Sequence, residues 1–247
     1  MANGEVGVEA PRVDRAEMLR YLGYAGQPLD DELSARIDEA AAACEREARP
    51  SSVWRAFPLT ADAVDAAEGE PAGEGPASGI AVPGTALALA GGDIARHLEG
   101  AAECVLLACT LGVENERGLR RRSITDPLGA LLYDAASSSL IESAADAATE
   151  RIAAEAATRG LHANGRFSPG YGDLPLAAQR PLLAALDATR RIGLTSTQSN
   201  LLVPTKSITA VIGLFDEPHP AALAPCDRCA LSSSCTFRSE GRTCHGT

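Results

Sequence analysis

The amino-acid sequence predicts an α+β fold, with helices and strands mixed around one core. The most apolar short run, residues 104–109, has the length and continuity of a strand that is buried on both faces. Asp126 and Pro127 mark the start of a helix that can run to Gly160, because proline at the first helical position already has a helical φ. The order of the elements does not follow a strict β-α-β repeat, which favours α+β over a doubly wound α/β fold.

Composition and charge limit the class of protein. Of the 247 residues, 45% are hydrophobic, 22% are charged and 4% are aromatic, which fits one globular domain whose helices pack through alanine. A formal net charge of −11 would repel nucleic-acid phosphates and anionic lipid, so neither is expected as a partner. The sequence has no apolar run near the roughly 20 residues that span a bilayer, and residues 1–11 lack a secretory signal pattern. A cytoplasmic protein is therefore expected.

Two helices are expected in the N-terminal part. Asp14 and Glu17 form a capping-box pattern, in which the aspartate accepts from a free amide and the glutamate reaches back. This first helix should stop at Gly23. The second opens at Asp30 and continues to Cys44, with apolar residues spaced for one buried face.

Short strands and a loop are expected between the second helix and the central strand. Residues 52–59 alternate apolar and polar, as a half-buried strand does. Residues 61–78 are almost entirely Ala, Gly, Glu, Asp and Pro, which bury too little apolar surface to offset the entropy of ordering. They are expected to form a mobile surface loop. Residues 79–82 and 85–89 suit two further strands, and a brief helix capped at Gly92 should follow.

The C-terminal half offers a helix and a hairpin. After the long helix, residues 164–172 should form a loop, and a helix is expected through residues 182–189, ending at Gly193. Residues 200–203 and 207–214 flank Pro204 and Thr205, a pattern typical of a β-hairpin. The sequence therefore predicts a strand pair at the end of this region.

Arg166, Gly170 and Tyr171 form the motif most suggestive of ligand binding. The planar guanidinium suits two parallel hydrogen bonds to a carboxylate, while glycine lets the backbone approach a ligand closely. The alternative is that Arg166 pairs with a surface acid and Gly170 only makes a turn. Since short motifs match by accident, the motif alone does not decide between the two.

The residues around this motif resemble one known family. Beyond Arg-Phe-Ser-Pro-Gly-Tyr-Gly-Asp-Leu-Pro-Leu, which begins at Arg166, the similarity continues in order and spacing through residues 192–195 and 202–209. It extends backward through residues 140–151 and 18–24, so that it covers roughly residues 12–215. These segments resemble the activation, or reactivation, domain of vitamin B12-dependent (cobalamin-dependent) methionine synthase.

The resemblance implies both a fold and a role. It implies a single C-shaped α+β domain over residues 1–217, with a twisted antiparallel sheet flanked by helices. In this family the domain presents S-adenosylmethionine to the synthase when its cobalamin has oxidised, and an outside reductant supplies an electron. The chain resembles a free-standing version, an accessory component rather than a complete methyltransferase. Its expected partners are a cobalamin-binding methionine synthase that lacks this domain and a flavodoxin- or ferredoxin-like electron donor.

The resemblance also implies roles for particular residues. Arg166 matches the family arginine that binds the ligand carboxylate, and Tyr171 matches the tyrosine that faces the corrin. The other positions matched to ligand contacts are Ser168, Gly170, Glu142 and Asp14. Glu142 is alternatively a solvated helix residue, and Asp14 only a helix cap. Many fused synthases have proline after the Gly-Tyr pair, whereas Gly172 here predicts a more mobile loop and weaker binding.

The cysteine-rich tail, residues 218–247, departs from the family. Four thiols lie close in sequence and suit zinc or an iron–sulfur cluster, with His245 as a substitute ligand: Cys226, Cys229, Cys235 and Cys244. Their spacing fits no standard zinc ribbon, and a reduced, metal-free tail is the alternative. A second function follows from this tail, that of a metal-binding electron-transfer or regulatory protein that keeps the fold without the ligand. Cys44, Cys104 and Cys109 are expected as core side chains.

Overall fold

The structure, a computed structural model, describes residues 11–59 and 79–218 and the strand Asn3–Glu5. Five antiparallel strands form the central sheet in the order β1-β2-β5-β9-β6. They are β1 Asn3–Glu5, β2 Ser51–Pro58, β5 Glu103–Thr110, β6 His162–Ala163 and β9 Ser207–Phe215. Two separate hairpins pair β3 Gly79–Ala81 with β4 Ala88–Ala90, and β7 Thr195–Ser196 with β8 Leu202–Val203. The predicted α+β class, with an antiparallel sheet flanked by helices, is confirmed.

Seven helices surround the sheet. They are α1 Arg15–Tyr21, α2 Asp31–Glu47, α3 Gly92–Leu98, α4 Gly112–Thr125, α5 Pro127–Ala157, α6 Gln179–Ala185 and α7 Ala188–Ile192, as far as the described residues go. A 3₁₀ turn, Leu176–Ala178, precedes α6. In the part of the chain that the structure describes, no helix is both long and apolar enough to cross a membrane.

Strand β5 lies at the centre of the sheet, as its apolar run predicts. Every residue after Glu103 is buried, because β2 and β9 flank it and side chains cover both faces. Both faces of β2 are covered as well. Trp54 packs on the helical side, whereas Val53 and Phe57 pack on the other. The half-buried alternation expected for residues 52–59 is therefore wrong, since a second layer covers the face predicted to meet solvent.

One face of the sheet packs against α1, α2 and α5. Small residues such as Ala43, Ala136 and Ala148 are buried there and let the helices approach closely. The 31-residue α5 begins at Pro127, as predicted, and Asp126 caps it by accepting from the Gly129 amide at 3.0 Å. This helix contacts α1, α2, α4 and four strands, so it is the main support of the fold.

A lysine ties the start of β9 to the same helix. Lys206 Nζ donates to Ser138 Oγ at 2.8 Å and lies 2.9 Å from Asp134 Oδ1, and its side chain is only 17% exposed. Ser138 and Asp134 are one turn apart on α5. The first residues of the last strand are therefore fixed to the middle of the long helix.

The opposite face carries the β3–β4 hairpin, α3, α6 and α7. Its core is mainly aliphatic and includes Ile80, Leu89, Ile94, Leu98 and Leu182. Leu106 and Val211 point into this core from β5 and β9. The fold therefore has three layers, with the sheet between the long helices and this smaller group of elements.

Local sequence signals located most helix starts. Asp14 caps α1 by accepting from the amides of Ala16 and Glu17 at 2.8 and 3.2 Å, and Gly23 follows the helix with φ 74°. Glu17 does not complete the capping box, because its carboxylate receives the Arg20 guanidinium at 2.6 Å instead. Helix α2 starts at its predicted cap, Asp30, and extends three residues past Cys44.

Three elements differ from the expectations. Helix α4 was not expected, because Leu111 before it has no capping oxygen and its buried residues are only Asn115 and Gly118. The helix expected through residues 182–189 is broken by Asp187, whose φ is 52°, and its second part ends at Gly193, as predicted. The hairpin predicted over residues 200–214 is wrong. Strand β8 pairs with β7, whereas β9 pairs with β5.

Two predicted segments lie outside the described residues. These are the loop over residues 61–78 and the cysteine tail from residue 219 onward. Both stay predictions from the sequence.

A polar cluster joins α2, α4 and α5. Arg122 donates to both carboxylate oxygens of Glu47, at 2.6 and 3.0 Å, and lies 4.0 Å from the centre of the Tyr133 ring. The Tyr133 hydroxyl donates to Glu47 at 3.2 Å, and Asn115 donates to Tyr133 and Ser137. Because Tyr133 and Asn115 are buried, this cluster fixes the three helices against one another.

The Glu47→Gln variant should lower the free energy of unfolding by about 1–3 kcal/mol near neutral pH, since Arg122 loses its charged acceptor. The Arg122 hydrogen bond holds the pKa of Glu47 below its usual 4.5. The stability from ionised Glu47 is therefore present above pH 4.5 and is lost as the pH falls through the lowered pKa. Urea unfolding near neutral pH and well below pH 4.5 should show the difference shrinking. Glu114→Gln, which breaks an exposed pair with Arg117, is the matched control and should change little.

Candidate functional site

The loop over residues 164–173 carries most of the predicted ligand residues. It leaves β6 and runs beside β9, where the Phe167 amide donates to the Val211 carbonyl at 2.9 Å and the Val211 amide donates back at 2.8 Å. This single bridge extends the sheet past the end of β6. It fixes the backbone next to Arg166 and directs the Arg166 side chain toward α5.

Arg166 is held by a polar stripe on α5. Its Nη1 donates to Asp146 Oδ1 at 2.6 Å and to Thr149 Oγ1 at 3.2 Å, and its Nη2 donates to Glu142 Oε2 at 3.0 Å. Residues 142, 146 and 149 share a helix face, since positions three and four apart are neighbours on a helix. The structure therefore brings Arg166 and Glu142 together and adds Asp146 and Thr149 to the same stripe.

The guanidinium keeps hydrogen-bonding capacity. Three of its five N–H groups are used by these contacts, which leaves Nε–H and one N–H of Nη2 without an acceptor among the described residues. The Arg166 side chain is 21% exposed, so solvent and ligands reach only part of it. Pairing with acids, the alternative considered for Arg166, is thus present and still leaves two donors.

Glu142 lies in a crowded electrostatic environment. Burial raises the pKa of Glu142 above its usual range, and the positive charge of Arg166 opposes that shift. Asp146 raises the same pKa and Arg20 at the end of α1 lowers it. The guanidinium of Arg20 lies 4.6 Å from the centre of the Tyr21 ring, which is 41% exposed. Helix α1 therefore adds a second cation and an aromatic ring that the sequence did not single out.

Two glycines shape the turn after Ser168. Gly170 and Gly172 have φ values of 90° and 54°, a region that favours glycine. The Tyr171 amide donates to the Ser168 carbonyl at 3.0 Å and the Gly170 amide to the Leu174 carbonyl at 2.8 Å. A proline could not adopt the Gly172 conformation, because its ring fixes a negative φ. The loop therefore makes a turn at Gly172 that a proline at this position could not make.

Tyr171 projects from the tip of this turn. Its ring meets Phe167 edge-on at 5.3 Å between centroids, and 44% of the residue is exposed. Phe167 in turn lies over the His97 ring of α3, at 5.1 Å. The Tyr171 ring therefore packs against Phe167 on one side and is accessible to solvent on the other.

Asp14 lies near the same helix but is engaged elsewhere. Its carbonyl accepts from Ser139 Oγ at 3.0 Å, one turn before Glu142 on α5. Its carboxylate accepts from two amides of its own helix. The cap role of Asp14 is thus evident, and its carboxylate makes no contact with Arg166 in the described structure.

The edge of β9 offers a further polar position. Gly213 exchanges hydrogen bonds with Asn164, and Val211 exchanges them with Phe167, on the same side of the strand. Because backbone groups alternate sides along a strand, the Thr209 N–H and C=O also face this side. No strand among the described residues continues the ladder there, and Gln179 accepts only from the Thr209 hydroxyl, at 2.9 Å. Thr209 itself is only 4% exposed, so this position is buried, and the sequence held no signal for it.

The predicted metal site lies outside the residues that the structure describes. The four predicted ligands, Cys226, Cys229, Cys235 and Cys244, lie outside the described residues, and residues 11–59 and 79–218 contain no cluster of His, Cys, Asp and Glu suited to a metal ion. Burial raises the pKa of the Cys104 and Cys109 thiols to about 12 and that of Cys44 to about 11. These three cysteines are protonated core side chains, as expected.

Removing the Arg166 charge should raise the pKa of Glu142 further, because Arg166 stabilises the ionised carboxylate. An NMR titration of ¹³C-labelled glutamate carboxyls in wild type and Arg166→Leu measures this shift. Arg190→Leu, which removes an arginine that is 80% exposed and paired with Asp187, should leave the Glu142 titration unchanged. An unshifted Glu142 in Arg166→Leu would show that the two side chains do not interact in solution.

Comparison with known proteins identifies a solved structure of similar fold. No family model and no curated protein matches the sequence. Among solved structures, the crystal structure of the MetH reactivation domain bound to AdoHcy is similar, with a TM-score of 0.60 and 15% sequence identity. The similarity covers 98% of this chain and 86% of that one. The chain therefore has the fold of the MetH reactivation domain.

Proposed function

We propose that the chain binds S-adenosylmethionine and assists the reductive methylation of a cobalamin carried by a partner protein. The observation that supports this most directly is the guanidinium of Arg166, held on α5 with two N–H groups still available. It lies on the loop that carries Gly170 and Tyr171, in a fold whose solved representative is bound to AdoHcy.

In this proposal Arg166 binds the ligand carboxylate. A guanidinium forms two parallel, charge-assisted hydrogen bonds with a carboxylate, and Nε–H and Nη2–H supply two donors. The Ser168–Gly170 backbone supplies polar groups for the rest of the ligand. Glu142 receives the ligand ammonium group, since it is the less exposed of the two α5 carboxylates that pair with Arg166.

The charge of the site suits a cationic ligand. Two arginines, Arg20 and Arg166, lie among three carboxylates, those of Glu17, Glu142 and Asp146, which leaves one negative charge in excess. S-adenosylmethionine carries an ammonium, a sulfonium and a carboxylate, whereas its demethylated product lacks the sulfonium charge. The excess negative charge therefore favours the methyl donor over the product.

The chain's part in the reaction is to position the methyl group. The reduced cobalamin of the partner supplies the nucleophile, and the methyl group passes to cobalt as the electron pair of the breaking carbon–sulfur bond stays on sulfur. An electron donor of the flavodoxin or ferredoxin type restores the reduced cobalt beforehand. Holding the sulfonium methyl group in line with the cobalt can lower the barrier to methyl transfer by up to about 7–11 kcal/mol. The chain is then an accessory component rather than a complete enzyme.

Replacing Arg166 should weaken S-adenosylmethionine binding. Arg166→Lys keeps the charge but loses the planar fork, so affinity should fall by about 1.5–3 kcal/mol, and Arg166→Ala should be worse. Calorimetric titration measures the affinity, with circular dichroism as the check of folding. Arg190→Lys is the matched control and should bind as wild type does, because Arg190 pairs with Asp187 on the surface. Wild-type affinity in Arg166→Ala would overturn the proposed site.

The Tyr171→Phe variant should distinguish binding of S-adenosylmethionine from docking of the cobalamin partner. The tyrosine is exposed and makes its ring contact with Phe167, which phenylalanine keeps. Affinity for S-adenosylmethionine alone should therefore stay close to wild type, while methyl transfer to a cobalamin protein should slow. Single-turnover absorbance of the cobalamin measures the second step. A loss of ligand affinity in Tyr171→Phe would place the hydroxyl in the ligand site instead.

The tail should be separable from the ligand site. Strand β9 ends at Phe215, two residues before Glu217, so truncation after Glu217 keeps every described strand and helix. The truncated protein should melt cooperatively and bind S-adenosylmethionine as the full chain does.

Metal analysis and the visible spectrum of the full chain test the alternative function, that of a metal-binding electron-transfer or regulatory protein. Bound zinc or a brown iron–sulfur colour, with no ligand affinity, would favour that alternative over the present proposal.

A further inference from the structure

Asp173 lies at the end of the loop over residues 164–173, called the ligand loop below, and is hydrogen-bonded to the first turn of α3. Its Oδ2 accepts from the Gly92 amide at 2.6 Å, and its Oδ1 accepts from the Asp93 amide at 3.0 Å. About 80 residues separate Asp173 from these amides in sequence, so the contact is purely tertiary. The helix therefore receives its N-terminal cap from the loop.

Glycines on both sides make this contact close. A Cβ on Gly91, whose φ is 134°, would lie 2.3 Å from Asp173 Oδ1, and a Cβ on Gly172 would lie 2.6 Å from Asp93 Oδ2. In both cases the nearest atom is an aspartate carboxylate oxygen, which a side chain at the glycine position would displace. The positive φ values also favour glycine at both positions, so the two glycines preserve the contact.

The beginning of the loop is fixed to the other end of the same helix. Asn164 Nδ2 donates to the His97 carbonyl at 2.8 Å, while Asn164 Oδ1 accepts from the Gly213 amide of β9 at 2.7 Å. Phe167 lies over the His97 ring. Helix α3 therefore contacts the loop near residue 164 and again at residue 173, on either side of Arg166, Ser168, Gly170 and Tyr171.

We infer that α3 is a clamp for the ligand loop, and that Asp173 and Asn164 are positioning residues for ligand binding. This inference rests on the proposed function, since the ligand is S-adenosylmethionine. Both side chains act through the backbone of residues 164–173 and not through contact with the ligand. Fixing a loop in its bound conformation before the ligand arrives reduces the entropy lost on binding.

The test uses the full chain with two near-isosteric replacements. Asp173→Asn keeps the shape but leaves one acceptor oxygen for two amides, and Asn164→Asp keeps the Gly213 contact but loses the donor to His97. Both should bind S-adenosylmethionine about three- to tenfold more weakly, the size expected for a lost cap. Hydrogen exchange of the amides of residues 166–174 in the free protein should become faster.

The control is Asp30→Ala, which removes the capping oxygen of α2, where Asp30 accepts from the Leu33 amide at 2.7 Å. Its melting temperature should fall, while its affinity for S-adenosylmethionine and its loop exchange stay unchanged. Wild-type affinity in Asp173→Asn and Asn164→Asp would overturn the clamp. Failure of the wild type to bind S-adenosylmethionine would instead overturn the proposed function, and unchanged loop exchange in the two variants would then remove the clamp as well.

Discussion

The antiparallel pairing of β5 with β9 is the contact on which the rest of the structure depends. The pairing runs from Glu103 opposite Leu214 to Thr110 opposite Ser207, and nearly all of its side chains are buried. Since a buried strand must satisfy its backbone and cover both faces, this pair requires a layer on each side. The long helices supply one layer and the hairpin with the short helices supplies the other. The free side of β9 then supports the ligand loop through Val211 and Gly213.

The candidate site is assembled from segments that lie far apart in sequence. Arg166 comes from the loop, Glu142 and Asp146 from α5, and Arg20 and Tyr21 from α1. Its charges compensate one another only in part, and burial of Glu142 strengthens the electrostatic coupling because fewer water molecules screen it. A ligand that enters this site meets side chains already oriented by other contacts, which keeps the cost of reorganisation low.

Predictions from sequence succeeded where the signal was local. Proline at position 127, the aspartates at 14 and 30, and the apolar run at the centre of β5 each specify their own element. Helix α4 carries neither an N-terminal capping side chain nor an apolar face, since Arg122 and Asn115 make its tertiary contacts through polar groups. The partner of β9 depends on a strand almost a hundred residues earlier, which no local pattern specifies.

The candidate site was predictable to a similar extent. The resemblance to a known family named Arg166 and Glu142 as ligand residues before any geometry was known, and the structure places Arg166 Nη2 3.0 Å from Glu142 Oε2. The second acid, Asp146, the Thr209 edge and the cap from Asp173 depend on tertiary contacts that the sequence does not display.

Helix α5 also sets the distance between two parts of the chain that are attached to it. Lys206 is attached at Asp134 and Arg166 at Asp146, about 18 Å apart along the axis at 1.5 Å per residue. One inserted residue between them would turn the second attachment by about 100° away from the loop, so this stretch of helix can vary in composition but not in length.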